Sequence, residues 1–138
     1  MTAHLLVIED DEVAAYVTCK LLKSSGFSQP VQVVRDAAEA LAYLNCEASY
    51  AGRQTGNPSL ILLDLKLPDL DGFELFKRIR SNPVLSVIPV FILSASNADE
   101  DMCRGALLGV SKYLTKPLNV QEFRKEAAKV VSVPPSLH

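Results

Sequence analysis

The chain has 138 residues, 49% of them hydrophobic and 22% charged, with a formal net charge of −2. That is the size and make-up of one globular domain with a sizeable core. The slightly acidic balance argues against a nucleic-acid or membrane surface, and no apolar run approaches the ~20 residues of a membrane span. The segment from Met1 to Asp10 lacks a basic leader and turns acidic at once, unlike a signal peptide. Cys19, Cys46 and Cys103 are odd in number and widely spaced, with no zinc-like pairing. They read as reduced thiols of a cytoplasmic protein.

A first strand, His4 to Ile8, ends at the acids Glu9, Asp10, Asp11 and Glu12. Val13, Val17 and Leu21 recur at spacing four and predict the buried stripe of a helix, closed by Gly26. Val31 to Val34 is a second strand after Pro30. Asp36 and Glu39 have capping-box spacing, and Ala37, Leu41 and Leu44 form the next helical stripe. Ser49 to Ser59 is predicted as a surface loop, long for the connection it makes. Leu60 to Leu63 is an unbroken aliphatic run ending at Asp64, as in a strand buried on both faces.

After the Pro68 turn, Asp71 opens a helix whose buried stripe is Phe73, Phe76 and Ile79, and Asn82-Pro83 ends it. Val90 to Leu93 is a fourth strand, ending at Ser94. A weak helix follows from about Asp99 to Leu108, with Gly105 and Gly109 in or beside it. Lys112 to Thr115 is the last strand, before Lys116-Pro117. Asn119 caps a final helix with the stripe Val120, Phe123, Ala127 and Val130. Residues 133–138 are expected to be a frayed tail. Alternating strands and helices predict a parallel sheet covered on both faces, with right-handed crossovers.

In such a sheet the carboxyl ends of the strands gather at one edge, where ligands bind. Glu9, Asp10, Asp64, Ser94 and Lys116 all stand at strand ends. Clustered carboxylates repel one another and are costly to bury unpaired. A divalent cation offsets that, and magnesium suits oxygen ligands and phosphate. Lys116 supplies a fixed positive charge, Ser94 a hydrogen-bond donor and Asp64 a nucleophile able to form an acyl phosphate. Singly, each has a plainer role: a solvated lysine, a helix-capping serine, a surface acid pair. Their gathering at one edge of one sheet favours a site.

The segments Ile8-Glu9-Asp10-Asp11, Leu63 to Gly72 (Leu-Asp-Leu-Lys-Leu-Pro-Asp-Leu-Asp-Gly), Leu93-Ser94-Ala95 and Tyr113 to Leu118 (Tyr-Leu-Thr-Lys-Pro-Leu) together resemble the receiver domains of two-component response regulators. The likeness runs from Leu5 to about Val131. It implies an α/β, flavodoxin-like, doubly wound sheet of order 2-1-3-4-5 with five strands and five helices. By resemblance, Asp64 is the phosphate acceptor. Glu9, Asp10 and Asp64 hold Mg2+, together with the backbone carbonyl of Lys66. Ser94 and Lys116 contact the phosphoryl group, and Ser94 and Tyr113 act as the switch. Lys66 and Ser96 flank the path of the water that hydrolyses the acyl phosphate. The donor would be a sensor histidine kinase or a histidine phosphotransfer protein. The 49–59 loop and the Leu114 to Asn119 stretch look like stand-alone receivers that include cyanobacterial phytochrome partners, which makes a phytochrome-like kinase one candidate.

The expected organisation is a receiver domain over residues 1–132, the tail, and no output domain. Signalling would then leave through protein contacts at a face carrying Met102, Tyr113 and Phe123, with Phe123 itself expected in the core. A second copy of the chain is left open as a partner. No nucleic acid, membrane or catalytic activity beyond self-catalysed phosphotransfer and autodephosphorylation is expected. A phosphohydrolase of the haloacid dehalogenase class is the enzyme alternative, but it typically has a second acid two residues after its nucleophile, where this chain has Lys66. A receiver-like binding module that never takes phosphate is countered by the complete residue set. A nucleotide-binding fold is countered by the lack of Gly-x-Gly-x-x-Gly after the first strand.

Overall fold

The computed structural model describes residues 4–54, 56–95 and 98–130. Strands and helices alternate: β1 (Leu5–Ile8), α1 (Glu12–Ser24), β2 (Val31–Val34), α2 (Ala37–Leu44), a short 3-10 turn (Ala48–Tyr50), β3 (Leu60–Leu63), α3 (Gly72–Ser81), β4 (Val90–Ser94), α4 (Asp99–Leu108), β5 (Lys112–Thr115) and α5 (Val120–Val130). All strand pairs are parallel, in the order β2-β1-β3-β4-β5. This is the expected flavodoxin-like sheet. β1 and β3 are buried at every position because helices cover both faces, which explains their unbroken aliphatic sequences.

Strand alternation divides the core into two layers. Leu6, Ile8, Ile61, Leu63, Val90 and Ile92 pack with α2 and α3, and with Leu108, Val110 and Tyr113 around α4. Leu5, Val7, Leu60, Leu62, Phe91 and Leu93 pack with α1 and α5 through Leu22 and Phe123. Phe123 is fully buried, edge-on to Phe27 and Phe91. It therefore lies on the opposite layer from Tyr113, and the expected single face of Met102, Tyr113 and Phe123 does not exist. Met102 is exposed and Tyr113 half-buried.

The α1 stripe is also corrected. Ala15, Thr18 and Leu22 face the sheet, while Val13 and Val17 are 71% and 41% exposed. Gly26, at φ 86, ends α1 as expected. It and Phe27 return hydrogen bonds to Lys23 and Leu22, a Schellman closure. In α3 the expected stripe of Phe73, Phe76 and Ile79 is buried. In α5 Val120, Phe123 and Ala127 face the core, and Val130 is more exposed.

The described residues of the 49–59 segment form the expected surface loop, and two of them make specific contacts. Tyr50 packs edge-on to Tyr43 and donates a 2.6 Å hydrogen bond to Glu39. Arg53 lies 4.3 Å over the Tyr43 ring, and its guanidinium reaches the carbonyls of Tyr43 and Gly56. The expected tail, 133–138, and Ser96 lie outside the described residues.

Candidate functional site

The carboxyl ends of β1, β3, β4 and β5 bring the expected side chains together at one edge. Register does the placing: Ile8 pairs with Leu63, so the acids that follow each strand are neighbours. One oxygen of each of Glu9, Asp10 and Asp64 lies within 4.8 Å of the others. Glu9 is 4% and Asp64 7% exposed, and Asp10 is open to solvent.

The acid run after β1 divides its work. Asp11 accepts hydrogen bonds from the Val13 and Ala14 amides at 2.9 and 3.2 Å and caps α1. Glu12 pairs with Arg35. Glu9 and Asp10 are left for the site. Glu9 Oε2 accepts from the Asp11 amide at 3.3 Å, and Oε1 accepts from Lys116. Asp64 is held on both oxygens. Oδ1 accepts from the Lys66 amide at 3.2 Å, and Oδ2 from Lys116 Nζ at 3.1 Å.

Lys116 follows β5, and its amide donates to the Ser94 carbonyl at 2.8 Å. The Lys116–Pro117 peptide is cis. Burial alone would lower the Lys116 ammonium, but its bonds to Glu9 and Asp64 outweigh that and hold it above the ordinary lysine value. Burial, with the hydrogen bond and charge of Asp64, pushes the Glu9 carboxyl up to about 7 against the pull of Lys116. One ammonium does not neutralise three carboxylates. This donor set, all oxygen and under mutual repulsion, fits a hard divalent cation. Among the described residues no other such acidic group occurs.

The β3–α3 loop carries Lys66, whose side chain is exposed. Gly72 donates its amide to the Leu65 carbonyl at 2.9 Å. A Cβ on Gly72 would sit 2.6 Å from Leu65 Cα and 2.7 Å from the Asp64 carbonyl oxygen. Only glycine lets α3 start this close behind Asp64. The motif signalled this residue, but sequence reasoning gave it no role. Asp71 caps α3 through Phe73 N at 2.7 Å and pairs with Arg104 of α4 at 3.5 Å.

Ser94 is buried at the end of β4, and pairs in register with Thr115. Tyr113 lies two residues before Thr115, so Ser94 and Tyr113 share one face of the sheet. The Tyr113 ring rests beside Gly105 of α4, where an added Cβ would come within 3.5 Å of it. Ser94 and Tyr113 thus lie on the α4 side of the sheet.

A family model described as the response regulator receiver domain matches residues 5–128. Response regulator Rcp1 of Synechocystis sp. is 35% identical over 121 residues, covering 88% of this chain and 81% of its own. A structure of Rcp1 in a Mn(2+)-bound form has a TM-score of 0.76 at 31% identity, covering 96% of this chain and 97% of that one. Bacteriophytochrome response regulator RtBRR has a TM-score of 0.85 at 38% identity, covering 98% of this chain and 86% of its own. The phosphorylated cyanobacterial phytochrome response regulator RcpA has a TM-score of 0.77 at 35% identity, covering 94% and 91%. Two-component signalling is the setting these relatives share, and the chain belongs to the response regulator receiver domain family.

Proposed function

We propose that the chain is a single-domain response regulator, over residues 1–132, that accepts a phosphoryl group on Asp64 from a phosphohistidine. The observation that carries this reading is the joint hold of Lys116 on Asp64 Oδ2, at 3.1 Å, and on Glu9 beside the exposed Asp10. It combines a buried nucleophile, a fixed cation and an acidic pocket open on one side. An Asp64 oxygen forms the new P–O bond as the P–N bond to the donor imidazole breaks, and the imidazole nitrogen keeps the electron pair. Lys116 neutralises charge on the phosphoryl oxygens. The Lys66 amide keeps the attacking carboxylate oriented.

Glu9, Asp10 and Asp64 would hold Mg2+, with the Lys66 carbonyl as a further ligand. The ion would supply charge neutralisation on the phosphoryl oxygens. The Mn(2+)-bound form of Rcp1 supports a divalent ion here. Ser94 would donate a hydrogen bond to the phosphoryl group, and Tyr113 would follow it, biasing α4. The chain is then a phosphoacceptor that catalyses its own transfer and hydrolysis, rather than an enzyme acting on other substrates.

The donor is a sensor histidine kinase or a histidine phosphotransfer protein in the cytoplasm. Likeness to RtBRR and RcpA favours a phytochrome-like kinase. Output goes to a protein target or a second copy. Among the described residues no helix is long and apolar enough to cross a membrane.

The test is labelling with acetyl phosphate and magnesium, followed by borohydride trapping and peptide mapping. Label on Asp64, lost in Asp64→Asn, is expected. Label elsewhere, or undiminished in Asp64→Asn, rejects the reading. Ser94→Ala should still be labelled but should lose most of its beryllofluoride-dependent change in partner or self-association. An undiminished response overturns the role given to Ser94.

A further inference from the structure

Asp69 lies on the β3–α3 loop, beyond Lys66, and reaches across to a different part of the fold. Its Oδ1 accepts from the Ala37 amide and its Oδ2 from the Ala38 amide, both at 2.9 Å. These are the first two amides of α2, which have no acceptor within their own helix. The third, Glu39 N–H, is taken by Asp36 at 2.7 Å. Burial opposes the Asp69 charge, but the amides of Ala37 and Ala38, with those of Asp69 and Leu70, outweigh it and hold the carboxyl below its ordinary value. So α2 is capped twice: locally by Asp36, and from a distance by the loop that leaves the phosphoacceptor strand.

The loop is pinned at its two ends. Lys66 N–H bonds to Asp64, Gly72 N–H bonds to Leu65, and Lys66 and Asp71 form a bridge. Asp69 is its hold on α2. Two residues, Leu67 and Pro68, separate Lys66 from Asp69, and Pro68 has a fixed φ. The hook of Asp69 on α2 thereby adds a third restraint on the loop to the two at its ends.

We propose that Asp69 is a positioning residue for the metal site. By hooking the loop to α2, it fixes where Lys66 presents its backbone carbonyl. The proposal rests on the magnesium reading above. Magnesium demands near-octahedral geometry at short range and tolerates little ligand displacement. A carbonyl ordered in advance also spares the ion the entropy of ordering it. The Ala37 and Ala38 amides thereby become part of the support of the site, although neither residue belongs to the acidic pocket.

The rival account is that Asp69 only stabilises α2. Asp36→Ala separates the two, because it uncaps the same helix without touching the loop. Magnesium is titrated against wild type, Asp69→Ala, Asp69→Asn and Asp36→Ala, all below their melting temperatures, and binding is followed by amide NMR shifts of Lys66 and Gly72. Asp69→Ala should weaken magnesium about tenfold, the low end of what groups supporting a metal's ligands cost. Asp69→Asn, which keeps an acceptor oxygen, should recover part of that loss. Asp36→Ala should bind as wild type does. In metal-free buffer the Lys66 amide should exchange faster in Asp69→Ala only. Wild-type affinity in Asp69→Ala, or an equal loss in Asp36→Ala, overturns the proposal. If wild type itself takes up no magnesium, the metal reading falls and the proposal falls with it.

Discussion

Lys116 Nζ lies between Glu9 and Asp64, bonded to Glu9 Oε1 and 3.1 Å from Asp64 Oδ2. The lysine is the internal cation of this pocket. Any ion entering the site therefore competes with it for Glu9 and Asp64.

Removing that competitor has two opposite effects. Lys116→Met should tighten magnesium binding, because the carboxylates lose their internal partner. It should also destabilise the metal-free protein by about 2 kcal/mol, less than the roughly 3–5 kcal/mol typical of a fully buried broken pair, since Lys116 is 21% exposed. Magnesium titration and urea unfolding in chelator measure both. Weaker magnesium binding in the variant would contradict the competition.

The Glu9 carboxyl, pushed up to about 7 by burial and its neighbour Asp64, gives metal-free stability a sign with pH. Its ordinary value is 4.5, so the folded state holds a proton that the unfolded chain releases first. The contribution is full below about 4.5 and is lost as pH rises through about 7. The melting temperature of metal-free wild type should fall over that window, and Glu9→Gln should flatten the slope. A slope unchanged in Glu9→Gln would reject the assignment.

How much was legible in the sequence is clearest at α1. The four-residue spacing of Val13, Val17 and Leu21 announced a helix and placed Leu21 against the core, but missed the face at Val13 and Val17, because periodicity gives a stripe and not what it meets. The true face uses Ala15 and Thr18, whose small size matters only once the sheet is beside them. The strands were legible because a short aliphatic run between turn residues fits little besides a strand buried on both faces. The acidic pocket was legible because strand ends gather at one edge. The hold of Asp69 on α2 was not, since it joins residues far apart in the chain. The contacts of Arg53 with Tyr43 were likewise invisible to local composition.

The outward face of α1 is the docking surface we expect for the proposed phosphodonor. Val13, Tyr16 and Val17 are exposed, and Val17 lines a cleft of about 270 Å³ with Thr18, Lys116 and Leu118 beside the site. Val17→Asp should slow transfer from a phosphohistidine protein about tenfold, the effect of losing roughly 1.4 kcal/mol of docking. Labelling by acetyl phosphate should be unchanged. Equal loss with both donors would place the defect in the site and not in docking.

Gly72→Ala should be costly for a local reason. The new Cβ would stand 2.6 Å from Leu65 Cα, so backbone must move. A loss of about 2–3 kcal/mol is expected, at the upper end for an added methyl in a packed core. Magnesium affinity should fall as well, since the displaced backbone follows Asp64. Chemical unfolding beside magnesium titration decides; an unchanged unfolding midpoint would sink the argument.

Lys66 offers the complementary case, because its exposed side chain is separate from its carbonyl. Lys66→Ala should alter the decay of phosphorylated Asp64 while magnesium affinity stays at the wild-type value. Identical decay curves would remove the side chain from any part in setting the lifetime.

The two core layers have a consequence for how such a chain diversifies. Leu22 of α1 and Phe123 of α5 belong to one layer, while Tyr113 and its Gly105 contact on α4 belong to the other. The sheet is a partition between them, and they meet at its carboxyl edge. Substitutions that retune one surface are therefore absorbed by one set of core residues without repacking the other. Copies of this gene drifting apart after duplication could change the α1 and α4 surfaces independently, each without undoing the other.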